Sequence, residues 1–417
     1  MRHPSPRRAL VAAASLAATL FLLAGPGGEA TAKPKGEWVG TWAAAPTAAG
    51  GGQSGAGFTD QTIRMIVHTS VGGDAIRIRL SNTFGTAPLT VGHATLARPD
   101  ASTATLTDIL PASLNELTFN GDAAVTVPKG GQVLSDPLTL PVAELSDLVV
   151  SIYLPVATGP ATFHLTARQS TWFGSGDTAA EATGATLTLT RNSWFYLSGV
   201  DVLSRKASGS VVVIGDSITD GTQSTLNGNA RWTDRLAART LAQHSSHSEW
   251  GVLNEGLAGN TLVHDGAEIG FPELGLNALA RVQRDVLSQT GAQTAVVLLG
   301  VNDLQIHNES SDRILDGLRQ LTTQIGETGI DVVVCTIMPF EGYPSWTPEK
   351  EANRQAVNAW LRAHANDYAG LIDFDALLRD PAAPSKLRAE WDSGDHIHPN
   401  DTGYQAMADF VPLWMLS

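Results

Sequence analysis

From Gln61 onward, apolar and polar residues alternate singly. Ile63, Met65 and Val67 are interleaved with Thr62, Arg64 and His68. After Gly72-Gly73-Asp74, Ile76, Ile78 and Leu80 are interleaved with Arg77 and Arg79. Single alternation marks a strand with one buried face, and the glycine-rich break between two such runs predicts a hairpin. Further short runs at 125–127, 148–154, 162–166 and 194–197 are separated by turn residues. Their spacing of about ten residues predicts an antiparallel β-sandwich of jelly-roll type. No helical periodicity interrupts the pattern between residues 60 and 200. Upstream, 33–60 is rich in Gly, Ala and Pro around Trp38-Val39-Gly40-Thr41-Trp42 and a loop at Gly50-Gly51-Gly52.

The texture changes at 200–208. A polar linker, Ser204-Arg205-Lys206-Ala207-Ser208, leads to Val211-Val212-Val213-Ile214, a run suited to a strand buried on both faces. Beyond it, strands are predicted at 211–214, 251–254, 295–299, 332–337 and 371–374. Helices are predicted at 232–243, 278–288, 312–327, 348–366 and 402–415. This alternation implies an α/β fold, a parallel, doubly wound sheet with helices on both faces. The expected organisation is a β-sandwich domain over 33–203 and an α/β domain over 209–417.

The N-terminus has a different pattern again. Arg2, Arg7 and Arg8 precede an apolar run over 9–25, and Ala30-Thr31-Ala32 offers a small-residue cleavage site. Residues 1–32 are therefore expected to be a secretory signal peptide, and the protein to be secreted to the extracellular side. The run is short for a membrane span and no stop-transfer pattern follows, so no stable membrane anchor is expected. Arg7-Arg8 leaves twin-arginine export open beside the general route.

Composition narrows the function classes. The chain has 417 residues, 43% hydrophobic and 16% charged, which suits two globular domains. The net charge is −14 with no basic stripe, so no nucleic acid is expected as partner. Cys335 is the only cysteine, which excludes an intrachain disulfide; within an apolar run it reads as a small buried side chain. Neither H-E-x-x-H nor C-x-x-C occurs, so no metal and no cofactor are expected. The chain is expected to be a monomer.

The candidate chemistry lies where the predicted parallel strands end. The first ends at Gly215-Asp216-Ser217, the second at Asn254-Glu255-Gly256-Leu257-Ala258-Gly259-Asn260, and the third at Gly300-Val301-Asn302-Asp303. Loops at the carboxyl ends of parallel strands converge on one edge. The last loop before the C-terminal helix holds Asp395-His396-Ile397-His398-Pro399. Taken singly, each stretch also fits an ordinary turn. Together they supply the parts of acyl transfer: Ser217 as nucleophile, His398 as base, and Asp395 to orient the imidazole. The donors for a developing oxyanion are the backbone N–H groups of Ser217 and Gly259 and the side-chain amide of Asn302. His396 is expected in a structural or rim role, and Asp216 and Asp303 in hydrogen bonds that hold the turns. The segment 339–346, with Phe340, Tyr343 and Trp346, is either a sugar or acyl subsite or a packed loop. Residues 262–276 are a second candidate wall.

These motifs resemble the SGNH (GDSL-type) hydrolase superfamily. Gly-Asp-Ser217 matches its first block, Asn-x-Gly-x-x-Gly259 its second, Gly-x-Asn302-Asp its third and Asp395-x-x-His398-Pro its fifth. The resemblance covers 210–417. Gly40-Thr41-Trp42-Ala43 and 77–85 are similar to a bacterial branch of secreted esterases in which a β-sandwich precedes the hydrolase domain. The resemblance implies a flavodoxin-like three-layer α/β/α domain and a serine esterase with a shallow site. The substrate expected is a small ester or an acetylated polysaccharide, with carbohydrate deacetylation ahead of lipase, arylesterase or acyltransferase chemistry.

Overall fold

The structure, a computed structural model, describes residues 36–243 and 249–416. The expected signal peptide, residues 1–32, lies outside the described residues. Gly36–Ser417 form one compact unit.

The N-terminal half is antiparallel β. A four-stranded sheet has the order Glu37–Ala43, Leu197–Ser204, Ala75–Ser81, Gln132–Leu134. A six-stranded sheet has the order Leu189–Arg191, Thr171–Ser175, Gln61–His68, Asp147–Leu154, His93–Ala97, Asn115–Glu116. Their inner faces, including Ile63, Met65, Ile76, Ile78, Val150 and Val200, share one apolar core. The hairpin expected from 61–68 and 75–80 does not form, because the two strands belong to different sheets. The intervening backbone is satisfied by other segments: Ser70 N–H donates to Thr41 O, and Gly73 N–H to Val142 O. The one-sided burial expected there is also corrected. Arg64 is fully buried and donates to Ser151 Oγ (3.0 Å), Thr107 O (2.6 Å) and Glu181 O (2.8 Å). Loops lie over the face that alternation assigned to solvent.

The C-terminal half is a five-stranded parallel sheet. Its strands are β1 (Ala207–Gly215), β2 (Glu249–Gly256), β3 (Ala292–Leu298), β4 (Asp331–Cys335) and β5 (Gly370–Ile372). Their spatial order is 2-1-3-4-5, the flavodoxin-like order. Val211 pairs with Val252 on one side and Thr294 on the other, so the β-branched run of β1 is central and buried on both faces. The chain first steps to one side of β1 and then to the other, which puts the switch point at its carboxyl end. Helix Trp232–Gln243 packs with Asp401–Phe410, while Ala278–Val282 and Pro348–Ala363 pack on Ser311–Gly326. Right-handed crossovers place these two sets on opposite faces of the sheet. The helix expected over 402–415 stops at Phe410, because Pro412 breaks it before a last turn at Leu413–Leu416. Phe374, expected in the last strand, instead opens the helix Phe374–Leu378, capped by Asp373.

The halves meet directly. The linker expected over 204–208 is only the turn Arg205-Lys206, since one strand runs to Ser204 and the next starts at Ala207. Strand Glu37–Ala43 lies over β1 and β2. A Cβ on Gly251 would come 1.9 Å from Gly40 O, and one on Gly40 would come 2.7 Å from Leu253. Two glycines thus permit a backbone approach that any side chain would block.

Candidate active site

β1 ends at Gly215 and the chain turns at once into the short helix Ser217–Asp220. Asp216 caps it, its Oδ1 accepting Ile218 N–H at 3.0 Å. An N-cap is worth about 1 kcal/mol, and here it also fixes the direction in which the serine leaves the strand. Burial raises the Asp216 carboxyl to about 7, and the Asp303 charge adds to the rise.

Ser217 meets the last loop of the fold. His398 Nε2 lies 2.8 Å from Ser217 Oγ, and His398 Nδ1 lies 2.7 Å from Asp395 Oδ2. Asp395 Oδ1 also accepts the backbone N–H groups of Ile397 (3.1 Å) and His398 (2.9 Å). These bonds explain the three-residue spacing: one carboxylate holds both the backbone and the ring of the same histidine. Gln223 Nε2 donates to Asp395 Oδ2 at 3.1 Å. Partial burial works against the Asp395 charge. The hydrogen bonds and charge of His398 outweigh it and hold the carboxyl well below the usual range. An ionised carboxylate only accepts, so Nδ1 carries the proton and Nε2 is free to accept from Ser217.

The second and third loops close on the same edge. Gly259 sits at φ 79°, in the left-handed region, and a Cβ there would come 2.8 Å from Leu274 Cδ2. No hydrogen bond from the Ser217 or Gly259 backbone N–H forms among the described residues. Asn302 Nδ2 donates to Asn260 O at 2.9 Å, and Asn302 Oδ1 accepts from Gln305 Nε2 at 2.9 Å. The amide is therefore fixed at both ends and retains one N–H. Asp303 ties the two loops together: its carboxylate accepts Leu262 N–H (3.0 Å) and Val263 N–H (3.3 Å). Its own carboxyl rises to about 6 through burial, which the two N–H bonds oppose.

Sequence reading missed the node beneath these loops. Arg281 is fully buried. It donates to Asn260 Oδ1 (2.9 Å), Glu255 O (2.8 Å), Gly215 O (2.9 Å) and Asp285 Oδ2 (3.0 Å). It joins the ends of β1 and β2 to the second loop. The only trace in the sequence is an Arg and an Asp four apart, which surface helices also show.

The flanking residues sort clearly. His396 pairs with Asp392 (2.6 Å), and a Cβ on Gly342 would strike its ring, so it forms the rim against the 339–346 loop. In that loop Phe340 is buried, while Tyr343 and Trp346 pack half-buried on the core. Residues 266–275 form a closed loop, Gly266 N–H donating to Gly275 O at 2.9 Å, with Ile269 and Phe271 exposed and Leu274 against Gly259. Cys335 is buried in β4.

The sequence profile of the GDSL-like lipase/acylhydrolase family matches residues 213–406. No curated protein matches the chain significantly. Among solved structures, the aryl esterase of M. smegmatis is 19% identical. It aligns over 48% of this chain and 95% of its own, with a TM-score of 0.38. A GDSL-like lipase from Bacteroides thetaiotaomicron is 18% identical over 50% of this chain and 88% of its own, also with a TM-score of 0.38. Residues 213–406 are a domain of the GDSL-like lipase/acylhydrolase family, a hydrolase of ester bonds.

Proposed function

We propose that the protein is a secreted serine esterase in which Ser217, His398 and Asp395 act as a triad and deacetylation of carbohydrate is the preferred reaction. The hydrogen-bonded line from Ser217 Oγ through His398 to Asp395 carries this reading. His398 Nε2 takes the Ser217 proton as Oγ bonds to the ester carbonyl carbon. The carbonyl electron pair moves onto oxygen, facing the N–H groups of Ser217 and Gly259 and the Asn302 amide. The tetrahedral intermediate collapses, the C–O bond to the alcohol breaks, and His398 returns the proton to the departing oxygen. Water then repeats the cycle on the acyl-enzyme and frees the acid. Asp395 stays ionised throughout and stabilises the imidazolium.

An added β-sandwich and an export leader suit a polymeric extracellular substrate, which favours acetylated polysaccharide. One observation favours a lipid or aryl ester instead: Ile269 and Phe271 are exposed on the loop whose Leu274 supports Gly259. Acetate release from acetylated xylan or pectin, compared with release of long acyl chains from lipid esters, decides between them. Predominant acetate release is expected, and predominant long-chain release refutes the carbohydrate reading. In the same assays Ser217→Ala is expected to abolish turnover.

A further inference from the structure

A buried ion pair joins the β-sandwich to the helix of Ser217. His164 and Asp220 have side chains only 3% exposed each, and His164 Nε2 lies 2.9 Å from Asp220 Oδ1. His164 belongs to the strand Phe163–His164 of the N-terminal half, and Asp220 is the last residue of helix Ser217–Asp220. The other ring nitrogen, His164 Nδ1, lies 3.0 Å from Ala45 O. A backbone carbonyl only accepts, and so does a carboxylate. Both ring nitrogens therefore carry hydrogen, which makes His164 an imidazolium. Burial opposes that charge, as does Arg231 nearby, but Asp220 outweighs them and raises the histidine above its ordinary range. The Trp194 ring also lies beside it, tilted at 5.4 Å.

Asp220 uses its other oxygen on the second loop. Its Oδ2 accepts Ala258 N–H at 3.0 Å, one residue before Gly259. Its backbone N–H donates to Asp216 O at 2.9 Å, and its carbonyl accepts from Arg231 Nε at 3.1 Å. There is no slack behind it, because a Cβ on Gly256 would lie 2.3 Å from Asp220 N. The segment that follows is stitched to the sandwich as well. Asn227 N–H donates to Arg168 O (3.0 Å), Ser170 N–H donates to Asn227 Oδ1 (2.7 Å), and Arg168 Nη2 donates to Ser224 O. Gln223, within this segment, reaches Asp395.

We propose that His164 is a positioning residue supplied by the β-sandwich: through Asp220 it holds the Ser217 helix and the Gly259 loop in register, so that the sandwich completes the active site. The proposal rests on the serine-esterase reading. A triad and an oxyanion site tolerate little displacement, and a shift of about 1 Å costs up to about a hundredfold in rate. His164 touches neither substrate nor Ser217 Oγ, so its removal acts on kcat through geometry and leaves substrate affinity largely intact.

The test uses the full chain, with p-nitrophenyl acetate as substrate and thermal melting as the fold check. His164→Ala is expected to lower kcat about tenfold or more with KM changed less than about threefold. Asp220→Asn is the rescue variant. Its amide oxygen still accepts Ala258 N–H, and its amide nitrogen donates to the Nε2 of a neutral His164, whose Nδ1–H still reaches Ala45. The same three bonds persist without charge, so kcat is expected within about threefold of wild type. Folded His164→Ala with wild-type kcat overturns the proposal. Should His164→Ala not fold, Asp220→Ala against Asp220→Asn decides. A loss of about tenfold in Asp220→Ala alone supports the proposal, and equal kcat in the two overturns it. Ser217→Ala in the same assay reports separately on the serine: activity persisting there refutes the triad, not the link.

Discussion

Arg281→Met tests whether the buried node under the strand ends supports both stability and chemistry. Arg281 loses every hydrogen bond in this variant, while Met replaces much of its volume and leaves no large cavity. Asn260 Oδ1 and Glu255 O lose a donor. Gly215 O keeps one, since Leu257 N–H donates to it at 3.1 Å. Asp285 keeps Arg284, with contacts at 2.5 and 2.8 Å. Breaking a buried ion pair costs about 3–5 kcal/mol, and the surviving Arg284 contact puts this case near the lower end. The expected loss is therefore about 3 kcal/mol, measured by urea unfolding followed through tryptophan fluorescence. Because Gly215 lies two residues before Ser217 and Asn260 follows Gly259, kcat is expected to fall about tenfold or more even where the protein remains fully folded. Arg281→Lys is expected to fall between wild type and Arg281→Met, since one ammonium cannot serve acceptors spread around a planar guanidinium. A loss below about 1 kcal/mol with unchanged kcat would show that Arg281 supports neither the fold nor the site.

Gly259→Ala places a Cβ at φ 79° and against Leu274, so it is expected to cost about 1–2 kcal/mol in melting experiments and proportionally more in kcat. The Asp216 carboxyl, raised to about 7, holds its proton more tightly folded than unfolded. Its contribution thus favours folding at low pH and is withdrawn as pH rises from about 4, the unfolded value, through about 7. Melting temperatures between pH 5 and 8 are therefore expected to fall more steeply in wild type than in Asp216→Asn, which keeps the cap; parallel curves would contradict this. Asp395 is depressed, so its contribution is present above about 4 and is lost as pH falls below that. Asp395→Asn is expected to flatten the acid limb of stability and to lower kcat about ten-thousandfold, because the amide no longer enforces the Nδ1–H tautomer.

The parallel sheet and the site were legible for the same reason. Runs such as Val211–Ile214 need burial on both faces, and turn residues at their ends must converge whatever the rest of the chain does. Ser217, His398 and Asp395 could be paired because their chemistry is complementary. The sandwich strands were legible individually but not their partners. Alternation reports which residues share a face, not which sheet a strand enters, so 61–68 and 75–80 looked like neighbours. Arg64, Arg281 and the His164–Asp220 pair were invisible for a common physical cause. Charged residues read as solvent-facing unless their partners are known; those of Arg64 and the His164–Asp220 pair lie far away in sequence, and the one local partner of Arg281, Asp285, makes a spacing that surface helices share. The aromatics of 339–346 had two open readings, and the structure packs them against the core.

In the proposed reaction Ser217 carries the acyl group. Its most direct test is intact-protein and peptide mass spectrometry after rapid acid quench of turnover with p-nitrophenyl acetate, or after reaction with a phosphonate ester. A single acyl or phosphonyl adduct that maps to Ser217 and is absent in Ser217→Ala is expected. An adduct on another residue, or undiminished hydrolysis by Ser217→Ala, would contradict it.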